Sequence, residues 1–213
     1  MPETRRRRRW PWILIAALVV VLVPVGIVAV PILTHQNQGL SNQGDTTTEF
    51  PTTVTATGDD GRTRELTVIS PDPGGAVDTA ALTVGERLVV SGTGYDGSRG
   101  IYVAICVIPD DPATKPGPCI GGVPDQEQEQ VDAGTVQYAP SNWINDDWAW
   151  KLFGARSYDD PQSGTFTAYI EVGDPKGDGV DCAAQACGLY TRNDHTALAD
   201  RVQDLHIPVA FAG

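Results

Sequence analysis

Between residues 142 and 153 the chain crowds Trp143, Trp148, Trp150 and Phe153 among Asn142, Asn145, Asp146 and Asp147. Indole rings give apolar contact and the amides and carboxylates give direction, which suits a surface for a glycan, a peptide or a planar small molecule. The plainer reading packs Trp148, Trp150 and Leu152 onto a core, because aromatic side chains are more often buried than ligand-facing. A second concentration, Arg192, Asp194, His195, Asp200, Arg201 and Asp204, follows Tyr190. His195 beside Asp194 has the makings of a base, and Tyr190 with His195 those of a haem-iron pair. No G-x-S-x-G turn and no paired histidine motif accompanies them. The cluster therefore reads first as a salt-bridge network pinning the long loop before the last strand. Trp143, Trp148, Trp150, Tyr190, Arg192 and His195 stand as the candidate binding surface, and no residue is assigned a catalytic role.

Asp174, Asp178 and Asp181 alternate with Gly173, Gly177 and Gly179, the oxygen-rich chemistry of a calcium turn. The D-x-D-x-D-G order is missing, so a solvated acidic turn is the reading. Four cysteines, Cys106, Cys119, Cys182 and Cys187, lack the C-x2-C spacing of a zinc site. No metal and no cofactor is expected. An even cysteine count suits disulfides in an exported chain, with three pairings open to four cysteines.

What positions these residues begins at the N-terminus. Arg5 to Arg9 supply five of the 15 basic residues, and Pro11 to Leu33 then runs 23 residues without a charge. As a helix this stretch reaches roughly 34 Å, enough for a hydrocarbon core of about 30 Å. Basic residues stay on the cytoplasmic side, so residues 1–10 are expected inside, 11–33 across the membrane and the rest outside. The alternative is a cleaved signal peptide, but cutting after Ala29 would put Ile27 at the −3 position, and no A-x-A triplet occurs. Beyond residue 34 the chain carries 10 basic and 26 acidic residues, a net charge of −16. Such a field repels phosphates, which argues against nucleic acid as a partner.

Residues 34–62 are rich in Gln, Asn, Gly and Thr and poor in large apolar residues, which predicts a disordered polar stalk, with a weak edge-strand pattern at Thr52–Thr57. Beyond it, Leu66–Ser70, Glu86–Ser91, Gly100–Ile108, Val131–Tyr138, Thr165–Val172, a stretch near Val180, Gly188–Thr191 and Ile207–Phe211 read as short strands between Gly- and Pro-rich turns. Pro109–Gln130 reads as a long acidic loop. Only Thr196–Asp204 offers even one helical turn. An all-β sandwich over residues 63–213 is the expectation.

Two stretches carry a resemblance: Leu82-Thr-Val-Gly-Glu-Arg-Leu-Val-Val-Ser-Gly-Thr-Gly-Tyr95 leading to a strand with Cys106, and Val180-Asp-Cys-Ala-Ala-Gln-Ala-Cys187 followed by Ile207–Phe211. From Leu66 to Phe211 the chain resembles the neocarzinostatin family of secreted actinobacterial β-sandwich proteins. The resemblance implies an immunoglobulin-like seven-stranded sandwich with pairs Cys106–Cys119 and Cys182–Cys187. Its best-known members hold an enediyne chromophore in a cleft, whereas here residues 109–163 and 191–196 enlarge the loops around that cleft. Twelve arginines against three lysines suit a GC-rich actinobacterial genome.

The sequence thus points to a non-enzymatic, membrane-anchored module of the cell envelope, displaying one sandwich to bind a small molecule, a glycan or an envelope protein. A small-molecule carrier or receptor using a cleft between the sandwich and its inserted loops is the alternative, and a hydrolase the weakest one.

Overall fold

The computed structural model describes residues 10–44, 49–122 and 136–213. It forms two compact units, Met1–His35 and Gln36–Gly213. The first holds helix α1, Trp10–Thr34, whose 25 residues include no charge. At 1.5 Å per residue it is about 37 Å long, and with its exposed apolar side chains it has the length and composition to cross a membrane.

The second unit is built from strands β1 (Thr53–Thr57), β2 (Thr63–Ile69), β3 (Arg87–Thr93), β4 (Ile101–Val107), β5 (Ser141–Ile144), β6 (Phe166–Glu171), β7 (Cys187–Asn193) and β8 (His206–Val209), with one helical turn, α2 (Trp148–Lys151). They make two antiparallel four-stranded sheets, ordered β1-β2-β3-β6 and β5-β4-β7-β8. On the first sheet the residues alternate in burial: Leu66 and Val68, Leu88 and Val90, and Phe166, Ala168 and Ile170 point inward. One buried cluster joins them to Ile101, Val103 and Ile105, Ile144, Leu189 and Ile207 of the second sheet. Period-two patterning on strands that share one core agrees with the expected sandwich. Gly92 lies opposite Phe166, where a Cβ would come within 2.2 Å of that ring and 2.7 Å of Tyr95. The Val-Ser-Gly-Thr-Gly run is therefore a packing device that seats two rings at 5.1 Å edge-to-face.

Both disulfides join neighbouring cysteines, Cys106–Cys119 and Cys182–Cys187.

Several expectations need correction. The sheets hold eight strands among the described residues, one more than the seven expected, because Thr53–Thr57 pairs along its whole length with Thr63–Thr67. The expected disordered stalk over 34–62 is in large part domain. Asn37 Nδ2 donates to Ala199 O (2.9 Å), Leu40 bridges Arg201, and Gln43 exchanges hydrogen bonds with the backbone of His206 at 2.7 and 2.8 Å. Polar side chains standing in for backbone partners dock this stretch, so it needs little apolar surface of its own. The stretch near Val180 is a turn: Val180 is buried, but its amide closes onto Gly177 O at 2.9 Å and it has no sheet partner among the described residues. Of the strand expected at Val131–Tyr138, residues 131–135 lie outside the described residues and 136–138 pair with no strand among them, with Ala139 making a single bridge to Ile170. The last strand ends at Val209, after which Phe211 bridges Leu82.

Candidate functional site

Strand β4 is buried on both faces. Its inward residues feed the main core, so its outward residues, Tyr102, Ala104 and Cys106, must be covered by something else. Two separate arrangements cover them.

The first is aromatic. Register places Trp143 of β5 and Arg192 of β7 on either side of Tyr102. The Arg192 guanidinium lies 5.6 Å from the Tyr102 ring centre. Trp143 packs on Tyr102 at 5.9 Å, on Trp150 at 5.7 Å and on His195 at 5.3 Å, and Trp150 meets His195 edge-on at 4.5 Å. The Tyr102 hydroxyl is 3.0 Å from His195 Nδ1, and burial pushes its phenol up to about 12. Beneath this layer Asp194 is fully buried, accepting from Trp143 Nε1 (2.9 Å), Asn145 Nδ2 (2.9 Å), and the amide and hydroxyl of Thr196. Asp194 thus spends its oxygens on Trp143, Asn145 and Thr196 rather than on orienting His195 as a base. Trp143 is only 6% exposed. Trp148, by contrast, is 63% exposed and Leu152 74%, because residues 148–151 form a helical turn capped by Asp147, whose side chain accepts from Ala149 N. Positions four apart on such a turn share a face, so Trp148 and Leu152 point away while Trp150 turns inward.

The second arrangement encloses a cavity of about 470 Å³. Tyr190 of β7 and His206 of β8 are register partners whose rings stack at 4.7 Å and 22°. They form the cavity's sheet side together with Asp204, two residues before β8. Ile108 to Pro116 form one wall and Ser41 to Gly44 another. The first wall is tied at both ends. Cys106–Cys119 staples its base, Ile108 N donates to Ala186 O (2.9 Å), and the buried Arg192 donates through Nη1 to Pro116 O (3.0 Å). Ala104, Cys106, Cys119 and Tyr190 form a small buried cluster that fixes the floor. Burial pushes the Tyr190 phenol up and the Arg192 guanidinium down.

Asp204 is 6% exposed, and Arg201 donates to its Oδ2 at 2.8 Å. Its Oδ1 is buried, and the Asn193 amide also approaches the carboxyl. Burial pushes its carboxyl up to about 7 against the pull of Arg201.

The structure therefore divides the six candidate residues. Trp143, Trp150 and His195 form the aromatic layer, Tyr190 lines the cavity, Arg192 braces the cavity wall and touches the layer, and Trp148 stands exposed. Tyr190 faces His206 and His195 faces Tyr102, so the two do not pair as haem ligands. Of the salt-bridge network expected of the charged cluster, the described residues show one ion pair, Arg201–Asp204. Sequence reasoning overlooked His206 and Gln43 as cavity residues. The signal present in the sequence was His206, directly beyond the charged loop and one residue before an apolar run. Among the described residues no group of three His, Cys, Asp or Glu is placed to hold a metal ion. Asp178 instead accepts from Gly121 N at 2.8 Å, and Asp174 and Asp181 each accept from an amide two residues on.

No protein-family model matches the chain, and no solved structure matches it. A curated relative, "Thiamine biosynthesis protein X" from Corynebacterium glutamicum, is 31% identical over 136 residues, which is 64% of this chain and 61% of the relative. The chain thus spans about three-fifths of the length of the curated relative it matches.

Proposed function

We propose that the chain is a membrane-anchored, extracytoplasmic, non-enzymatic binding module, and that it holds a small molecule in the cavity between the sandwich and its inserted loop. The cavity carries this reading. At about 470 Å³ it falls within the range of roughly 300–1,000 Å³ usual for ligand pockets, and it mixes stacked rings and prolines with a few polar groups. Two disulfides suit an oxidising, exported setting, and five arginines before α1 suit an N-terminus left inside. Cleavage within the helix would release the same domain.

The finer fold reading is an immunoglobulin-like sandwich of neocarzinostatin type. The order β5-β4-β7-β8 follows a C′-C-F-G sheet and β2-β3-β6 an A-B-E sheet, with β1 added at the edge. The Val-Ser-Gly-Thr-Gly and Cys-x4-Cys stretches support the family reading.

Native mass spectrometry of the full chain in detergent micelles, against a panel of small molecules, tests the function. Thiamine and its two ring halves belong in that panel, because the relative's name concerns thiamine biosynthesis. A one-to-one adduct, with slowed amide exchange in residues 41–44, 108–116 and 204–206, is the expected result. Adducts that leave those segments unprotected would remove the cavity from the account. A second reading, contact with a glycan or an envelope protein, is favoured by the exposed Trp148, Leu152 and Phe153.

A further inference from the structure

Residues 145–153 and 194–201 leave the second sheet at one end. Ile101, the first residue of β4, pairs with Ile144 at the end of β5 and with Asn193 at the end of β7, so the chain beyond both emerges beside it. There Trp150 meets His195 at 4.5 Å, and Phe153 packs on Trp150 at 6.2 Å. The outer side of this end is apolar. Trp148 is 63% exposed, Leu152 74% and Phe153 47%, and Leu198, three residues past His195, is 51% exposed.

The same loop receives the chain as it arrives from α1. Asn37 Nδ2 donates to Ala199 O at 2.9 Å, and Arg201 N donates to Gly39 O at 3.2 Å. Asn37 follows Thr34, the last residue of α1, by three positions, so the chain between them reaches at most about 11 Å. That limit holds at any angle of the helix. With α1 across a bilayer, the 194–201 loop is held within this reach of the membrane surface, and the exposed turn lies at the same end of the sheet. Tryptophan is enriched at membrane–water interfaces, where its ring meets lipid and its N–H meets water. Charge does not drive the contact. Lys151 is paired with Asp146 at 2.8 Å, Asp147 caps α2, and the net charge of −16 after residue 34 opposes an anionic surface.

Resting on the reading of α1 as a membrane span, we propose that the turn carrying Trp148, Leu152 and Phe153 docks on the lipid surface beside the anchor, its side chains entering the boundary between headgroups and acyl chains. The contact is apolar and needs no anionic lipid. Its place next to the anchor favours lipid over a glycan or a second protein as the partner of this face.

The test is quenching by brominated lipid. The full chain, with Trp10→Phe and Trp12→Phe, is placed in phosphatidylcholine vesicles whose acyl chains carry bromine either near the headgroup or near the chain end. Emission is expected to fall with the shallow bromine and much less with the deep one, and Trp148→Phe should abolish the fall. Leu152→Asp, at a side chain already open to solvent, should leave the fold intact and weaken the quenching of Trp148. Iodide should reach Trp148 less in vesicles than in detergent micelles, which present no bilayer plane. A second chain, Trp148→Phe with native Trp10 and Trp12, reports α1 by itself. Quenching of Trp10 and Trp12 without quenching of Trp148 would overturn the docking and leave the anchor standing. Quenching of neither would overturn the membrane span, and the docking with it. Protection of Trp148 from iodide without quenching by bromine would assign the turn to a second copy of the chain and overturn the lipid contact.

Discussion

The indole Nε1 of Trp143 donates to Asp194 Oδ2 at 2.9 Å, joining β5 to the end of β7 across the first residues of β4. This bond makes Trp143 part of the frame rather than a ligand-facing ring. It also separates the three tryptophans of the 143–150 stretch, which sequence alone treats as one group. In a Trp10→Phe, Trp12→Phe background, iodide should quench Trp148 strongly and Trp143 hardly at all. Trp148→Phe should then remove most of the quenchable emission. Strong quenching that persists in this variant would mean that Trp143 or Trp150 is open to solvent.

Asp194 serves four donors from three residues, so its loss leaves several buried groups unpaired. Asp194→Ala is expected to cost about 3–5 kcal/mol in urea unfolding. Gly100 explains why the carboxylate fits: a Cβ there would sit 1.8 Å from Asp194 Oδ2 and 2.3 Å from Asn145 Nδ2. Gly100→Ala should therefore cost about 1–3 kcal/mol by overpacking alone. A near-neutral Gly100→Ala would show that the network is looser than described.

Much of the sandwich was legible because its first sheet obeys a strict period of two, as at Leu66 and Val68 or at Ala168 and Ile170. Cys106 was legible as core because its strand is apolar on both faces. The packed segment 37–43 was not, since Asn37, Asn42 and Gln43 dock through side-chain hydrogen bonds, and an apolar count takes no notice of those. The cavity was legible only as a cleft near inserted loops. Its residues come from positions 41–44, 108–116, 186–190 and 204–206, and local spacing gives no sign that they meet.

The two disulfides should differ in worth. Cys106–Cys119 spans a separation of 13 residues and Cys182–Cys187 one of 5, so the chain-entropy model gives roughly 3 and 2 kcal/mol. Replacing the first pair by Ala should cost about 0.5–1 kcal/mol more than replacing the second. It should also loosen residues 108–116, seen as faster amide exchange there. Equal exchange in the two double variants would detach the staple from the cavity wall.

Asp204 sets a pH dependence. Its folded carboxyl is pushed up to about 7 from an ordinary value near 3.8, mainly by burial. Its stability contribution is therefore fully present below about pH 4 and is lost as pH rises through about 7, where folding must retain a carboxylate that burial disfavours. Asp204→Asn should remove that decline between about pH 4 and 7, read from unfolding free energies across the range. A variant with the same slope as the native chain would place the titrating group elsewhere.

The central claim is that the cavity bounded by Tyr190, His206, Asp204 and the Ile108–Pro116 wall is where a small molecule binds. Ala186 lines it and is exposed, so Ala186→Trp can fill the space from its rim. The most direct measurement compares native mass spectra of the native full chain and Ala186→Trp with the same ligand panel, after thermal melting shows that both are folded. The account predicts a one-to-one adduct on the native chain that Ala186→Trp abolishes, while an adduct retained at equal occupancy by folded Ala186→Trp would contradict it.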